Sequence, residues 1–497
     1  MNKEIKSIIS LKTFLWAFLL ALLTAYYTDV VAYTKVGFLI CFIISFGIIL
    51  YYIFSPQKAI LLLLIILFTF PVYPRDILTI YSDLQINKDI EFYSIVYSRF
   101  LGFALIQWIV LGLLFISLVK ILIRFKIDRK FFKILYPILG VWSIIYVGTA
   151  FNLIDRDYFL LKEFISDQRY FIILITTTLI TIVLNSDFKY KFQYYFIPKF
   201  VKILIFIGLI VGLRFIIFIV SDFINQDLKF YFSTQPYLLL PVFLSLVYTN
   251  PKTRYFPIYM LIFMGTFNAS RGDIIFMILD FFLAIAIAII TFYKKTTILK
   301  LKRVSIYLVS IFLFTALPVL LIYLYLPKVY DFLLLKLKFF TEGLGKGDFS
   351  HSTLVRIYEF KNIVSENTGN IISFFFGKGF GGYFKYSHYP LPFELNISDY
   401  TLYELNHRVY FHPHTFINYT LLKGGLIFFI FYIGISTYIF KKGFSLLNTK
   451  DIYIKFLGSF SIFYAIYSLN SFWLPHYLVF TGILLGILIN INKELSK

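Results

Sequence analysis

The chain has 497 residues, of which 60% are hydrophobic and only 15% charged, with a mean hydropathy of +0.81 and a formal net charge of +21. Such a composition excludes an ordinary soluble domain and a disordered chain, and describes a polypeptide whose main solvent is lipid. One cysteine, Cys41, excludes a disulfide framework and most cysteine-ligated metal centres.

Apolar runs recur from Leu11 to Asn490, and a run of about 20 residues crosses the hydrocarbon core as a helix. In chain order the expected spans are 11–28, 34–54, 58–73, 99–123, 134–151, 169–186, 197–221, 236–249, 255–270, 272–293, 304–326, 413–440, 452–470 and 473–491. That is fourteen crossings, or twelve if two connections are re-entrant turns. The short alternating segments of a β-barrel are absent, so the expected fold class is all-α, a polytopic transmembrane helix bundle. The first span has a basic flank but no small-x-small cleavage site, and reads as a retained anchor.

Lys and Arg in short loops mark the cytoplasmic side. Lys3, Lys6 and Lys12 place the N-terminus inside, and stepping across the spans places Lys120, Arg124, Lys126, Arg129, Lys189, Lys252, Lys294, Lys295 and Lys441 there too. The alternate loops carry Asp76, Asp83, Asp89, Glu91, Asp155, Asp157, Glu163, Asp222 and Asp227. An even number of spans satisfies every short loop, with both termini cytoplasmic. The net charge then faces anionic headgroups of membrane lipids, and no nucleic-acid partner is expected.

Three regions follow: 1–326 with spans one to eleven, 327–411 as one long extracytoplasmic loop, and 412–497 with spans twelve to fourteen. A connection of about 85 residues is usually functional. Leu354, Ile357, Tyr358 and Val364 recur near helical spacing, so an amphipathic helix is expected there with Arg356 and Glu359 on its other faces. The cluster Gly377-Lys-Gly-Phe-Gly-Gly382 is either a phosphate cradle built from backbone N–H groups or a tight turn using positive φ. A nucleotide-binding P-loop is excluded, because no Gly-Lys-Ser/Thr ending follows.

Ionisable residues near the membrane interior mark candidate sites. Ser270-Arg271-Gly272-Asp273 falls where the ninth span meets the tenth, so Arg271 stands at a helix start suited to an oxyanion; a snorkelling arginine paired with Asp273 is the structural alternative. Arg214 and Asp280 lie at equal depth, roughly 10–12 Å below the outer boundary at 1.5 Å per residue, and read as a buried ion pair or as a substrate contact. His412 and His414, in Phe-His-Pro-His-Thr, open the twelfth span.

The order Ser270-Arg271-Gly272, then Arg356 and Gly377-x-Gly-x-Gly381, then His414 eleven residues before Gly425-Leu-Ile resembles the O-antigen polymerase and O-antigen ligase family of bacterial integral membrane glycosyltransferases. The resemblance covers roughly residues 250–440. The family's His-Asn pair reads His414-Thr415 here. The resemblance implies a GT-C-like bundle in the inner membrane that takes a glycan from an undecaprenyl-pyrophosphate-linked oligosaccharide and passes it to a sugar hydroxyl, with inversion and without metal or cofactor. Arg271 and Arg356 would hold the pyrophosphate, His414 would activate the acceptor, and His412 could share or replace it. A growing glycan as acceptor would make it a polymerase of cell-envelope polysaccharide; a lipid A core acceptor would make it a lipopolysaccharide ligase. Expected partners are a chain-length regulator and a flippase. A flippase for the same lipid-linked sugars is the reading from another class, which would require internal repeats and charged residues lining a central cavity; the sequence has no repeat and only Arg214 and Asp280 at depth.

Overall fold

A computed structural model describes residues 11–70, 92–124 apart from 97 and 102, 129–153, 161–186, 195–224, 351–391, and 400–491 apart from 401 and 472–474, with positions 241, 242, 245 and 283. Spans eight to eleven, except for those four positions, lie outside the described residues, as do Arg271 and Asp280.

The regular elements of the described residues are helices, save for a hairpin of two short strands. The elements are α1 (Leu11–Asp29), α2 (Lys35–Phe54), α3 (Pro56–Thr69), β1 (Arg99–Phe100), β2 (Phe103–Ala104), α4 (Leu105–Arg124), α5 (Arg129–Leu153), α6 (Leu161–Ser186) and α7 (Ile197–Ile224). They continue with α8 (His351–Thr368), α9 (Ile371–Phe376), α10 (Leu402–His407), α11 (Phe416–Leu446), α12 (Ile452–Ser471) and α13 (Pro475–Asn490). The strands pair antiparallel, Arg99 with Ala104, so the fourth expected span begins as a hairpin and turns helical only at Leu105.

Among the described residues, Leu11–Tyr33, Lys35–Phe54, Ile197–Phe218, Phe416–Leu446 and Ile452–Leu469 are long and apolar enough to cross a membrane, and four shorter apolar helices accompany them. The protein is a multi-pass helical membrane protein. Side-chain size sorts the faces of α1: Ala17, Ala21 and Ala25 are buried against the bundle, while Leu15, Leu19, Leu22 and Leu23 point outward. Large apolar side chains cost nothing against lipid, and small ones let helices approach.

Close approach is clearest between α6 and α13. A Cβ on Gly482 would meet Thr177 Oγ1 at 1.9 Å, and one on Gly486 would meet Thr181 Cβ at 2.5 Å. Both helices thus present small residues four apart, and the threonine hydroxyls are spent on their own helix, Thr177 on Ile173 O and Thr181 on Thr177 O. Contact positions rise together along the two helices, so they run parallel. The pair α2 and α4 is also parallel, with Ile49 against Gly112 and Tyr52 bonded to Ser117 at 2.8 Å. By contrast α11 and α12 form an antiparallel hairpin, in which Gly443 meets Gly458 and Ser436 meets Ser468. All three relative directions match those expected from counting the spans.

Gly482→Val is expected to cost about 1–3 kcal/mol by overpacking, read as a lowered unfolding temperature in detergent. Gly434→Ala, where a Cβ meets nothing within 4 Å, is expected to leave that temperature unchanged or raise it.

Candidate functional site

One end of the bundle gathers the C-terminal turn of α5, the N-terminal turns of α6 and α11, and the segment 351–415. Thr415 starts α11 in extended conformation, its hydroxyl accepting the N–H of Asn418 at 3.2 Å. Ten residues on, α11 is interrupted: Gly425 has φ 60° and ψ −154°. Such a break strips carbonyls of their helical donors, which must find others in a low-dielectric setting.

The glycine turn supplies them. Lys378 N–H donates to Leu422 O at 2.6 Å and Gly379 N–H to Lys423 O at 2.9 Å. Contact is backbone to backbone, since a Cβ on Gly377 would lie 2.5 Å from the nitrogens of Gly424 and Gly425. Gly377, Gly379 and Gly381 have φ of 66°, 74° and 68°, a region closed to most side chains. The remaining N–H groups are equally committed: Gly377 to Ser373 O at 2.8 Å, Phe380 to Thr149 Oγ1 at 2.9 Å, Gly381 to Asp167 Oδ2 at 2.7 Å and Gly382 to Gly379 O at 3.0 Å. Of the two sequence readings, the tight turn holds. No N–H in the cluster is left to cradle a phosphate.

Beneath this turn lies a buried ion pair, Asp167 of α6 with Lys423 of α11, 2.7 Å apart and both fully inaccessible. Asp167 also accepts the Tyr419 hydroxyl at 2.8 Å, and Lys423 also donates to Gly382 O at 2.7 Å. Buried charges persist only when paired and hydrogen-bonded in this way.

Above the turn runs 411–415, whose two histidines face different partners. His414 turns to α8, where Glu359 is fully buried. The carboxylate grips it twice, through the ring Nδ1 at 2.5 Å and through its backbone N–H at 3.0 Å. Glu359 also accepts the Tyr400 hydroxyl at 2.7 Å and Asn418 Nδ2 at 3.3 Å. Tyr386 lies 2.7 Å from Tyr400, and because Tyr400 spends its proton on Glu359, Tyr386 is the donor. Burial and the adjacent Glu359 push the Tyr400 pKa far up, so it remains a donor. With Nδ1–H given to Glu359, the Nε2 of a neutral His414 is an acceptor. The side chain is 21% exposed.

His412 turns instead to α6, its Nε2 3.4 Å from Glu163 and 4.0 Å from Asp167. The ring keeps 41% of its surface accessible but stands among protein atoms. That crowding lowers its pKa, with Asp167, Glu163 and Glu404 opposing the shift and Lys423 reinforcing it.

Arg356 lies one turn before Glu359 on α8, exposed. Asn418 Nδ2 ties the two positions together by also donating to Arg356 O at 3.1 Å. Thus Glu359 and His414 are in direct contact, and Arg356 is tied to them through its backbone carbonyl. Arg214 is buried within α7 and donates to Thr69 O at the end of α3; its expected partner Asp280, like Arg271, lies outside the described residues. Compared with protein-family models, curated proteins and solved structures, the chain matches none.

Sequence reasoning placed Glu359 on a polar face of its helix and passed over Asp167 and Lys423. Lys423 had a signal, since a lysine inside an apolar span next to Gly-Gly is costly without a partner. Glu359 had none, because its partner is 55 positions away.

Lys423→Met is expected to lose about 3–5 kcal/mol, because it leaves Asp167 buried and uncompensated. Adding Asp167→Asn is expected to recover part of that loss, measured as a double-mutant cycle of denaturant unfolding in detergent.

Proposed function

We propose that the chain is an inverting membrane glycosyltransferase, a surface-polysaccharide polymerase of the O-antigen polymerase and ligase type. It would be a GT-C-like bundle of twelve to fourteen spans in the bacterial inner membrane, with residues 327–411 on the outer face. The donor is an undecaprenyl-pyrophosphate-linked oligosaccharide, and the acceptor is a sugar hydroxyl of a second lipid-linked glycan. The observation that carries this reading is the buried Glu359 carboxylate holding His414, one helical turn from the exposed Arg356.

The chemistry follows from those groups. The acceptor hydroxyl attacks the anomeric carbon, the bond from that carbon to the pyrophosphate oxygen breaks, and undecaprenyl pyrophosphate departs. His414 Nε2 takes the hydroxyl proton as attack proceeds. Glu359 fixes the tautomer and steadies the imidazolium that forms, as the third group of a nucleophile–base arrangement does. Arg356 meets the charge growing on the leaving oxygens with its planar donor fork, and Arg271 is the second expected cation there.

In a purified transfer assay His414→Ala is expected to lose on the order of 10²–10⁴ in kcat. Glu359→Gln, which unsettles the tautomer, is expected to lose at least about tenfold. The wild-type rate falls on the acid side as the imidazole protonates, and that limb vanishes with His414→Ala; an unchanged profile would remove His414 as the base.

Arg356→Ala is expected to nearly abolish polymer formation while the protein remains inserted, and Arg356→Lys to restore little, because an ammonium lacks the bidentate fork. Gel analysis of a deletion strain tests the reaction class: single repeat units still attached to their anchor mark a polymerase, whereas polymer left on the lipid carrier marks a ligase. A reporter fused within 340–400 that is active only in the cytoplasm would overturn the assignment.

A further inference from the structure

Glu163 and His412 are left over once the catalytic cluster is assigned. Glu163 is the third residue of α6 and only 14% of its side chain is exposed, yet its one contact among the described residues is His412 Nε2 at a loose 3.4 Å. A carboxylate has about four lone-pair positions to fill. Glu359, at the other histidine, fills its own with the ring and backbone of His414, Tyr400 and Asn418.

Among the described residues, the donors around the neighbouring Asp167 are committed elsewhere. Lys423 goes to Asp167 and Gly382 O, and Tyr419 goes to Asp167. The accessible His412 ring, in its neutral form, offers one donor and one acceptor. The pair therefore holds unspent hydrogen-bonding capacity of both kinds where a ligand can reach it.

The chemistry narrows the occupant. An anion would meet the two carboxylates of Glu163 and Asp167. A metal ion is not favoured, because no group of three or more His, Cys, Asp or Glu side chains among the described residues is arranged to hold one. An uncharged polyol satisfies both members, donating hydroxyls to Glu163 and accepting from or donating to the imidazole.

We propose that Glu163 and His412 form a carbohydrate subsite that binds hydroxyls of the acceptor glycan. The word acceptor rests on the glycosyl-transfer reading above; the hydroxyl recognition does not. His412 and His414 are two residues apart, at most about 7 Å between their Cα atoms, so an oligosaccharide seated at the first can reach the second. The subsite holds the glycan while Nε2 of His414 takes the proton.

The test uses the full chain in lipid nanodiscs and the free repeat-unit oligosaccharide cleaved from the strain's own surface polysaccharide. Binding is read by calorimetry, and transfer is read separately with lipid-linked donor. Glu163→Gln, which keeps shape and removes the charge, is expected to weaken oligosaccharide binding about tenfold or more and to raise the acceptor KM with little change in kcat. His412→Gln, as a second variant, is expected to weaken binding in the same way at an unchanged unfolding temperature.

Affinity within twofold of wild type in both variants overturns the subsite, as does, where the wild type transfers glycan, a fall in kcat without a rise in acceptor KM in both variants. A wild type that binds the oligosaccharide through Glu163 but transfers nothing overturns the glycosyl-transfer reading and leaves the subsite standing.

Discussion

A helix interrupted inside a membrane protein must have its orphaned carbonyls satisfied, and here that need organises everything around the site. The break at Gly425 exposes Leu422 O and Lys423 O, and both are answered by N–H groups of the glycine turn. The same turn lends Gly381 N–H to Asp167 and Gly382 O to Lys423. The glycine turn is thereby joined to the bundle through main-chain atoms, two of which meet the buried Asp167–Lys423 pair. The two histidines then occupy a strip of chain fixed at both ends, by Phe384 pairing with Tyr410 on one side and the Thr415 cap on the other.

Electrostatics divides the site in two. Glu359 and Asp167 are both fully buried, but they do different work: Asp167 is neutralised by Lys423 and holds the scaffold, whereas among the described residues Glu359 meets no cation except the one His414 becomes on protonation. In the proposed glycosyl transfer, an imidazolium formed at His414 would sit against that carboxylate.

How much of this was legible follows from the range of each interaction. Hydropathy is local, so α1, α2, α7 and α12 fall on their expected spans within a few residues, and the amphipathic helix expected over Leu354–Val364 is the centre of α8. The hairpin at Arg99–Ala104 and the break at Gly425 escaped, because an apolar run looks the same whether or not the backbone turns within it. His412 and His414 were visible as costly residues at a boundary. Their separation onto different partners was not, since Glu163 and Glu359 come from regions far apart in sequence, and only folding shows which carboxylate meets which ring.

The contacts that build the site have a temporal consequence. Tyr419 reaches Asp167 across 252 positions, and Phe380 reaches Thr149 across 231. The last helix, α13, lies along α6, which carries Asp167. During synthesis α6 enters the membrane long before its partners exist, with Asp167 lacking Lys423, Tyr419 and the glycine turn. Assembly of the site therefore waits on almost the whole chain. Contacts this distant in sequence form slowly, and until they form the growing protein carries an unpaired acid at the end of its bundle, a vulnerability that belongs to its biogenesis rather than to its finished state.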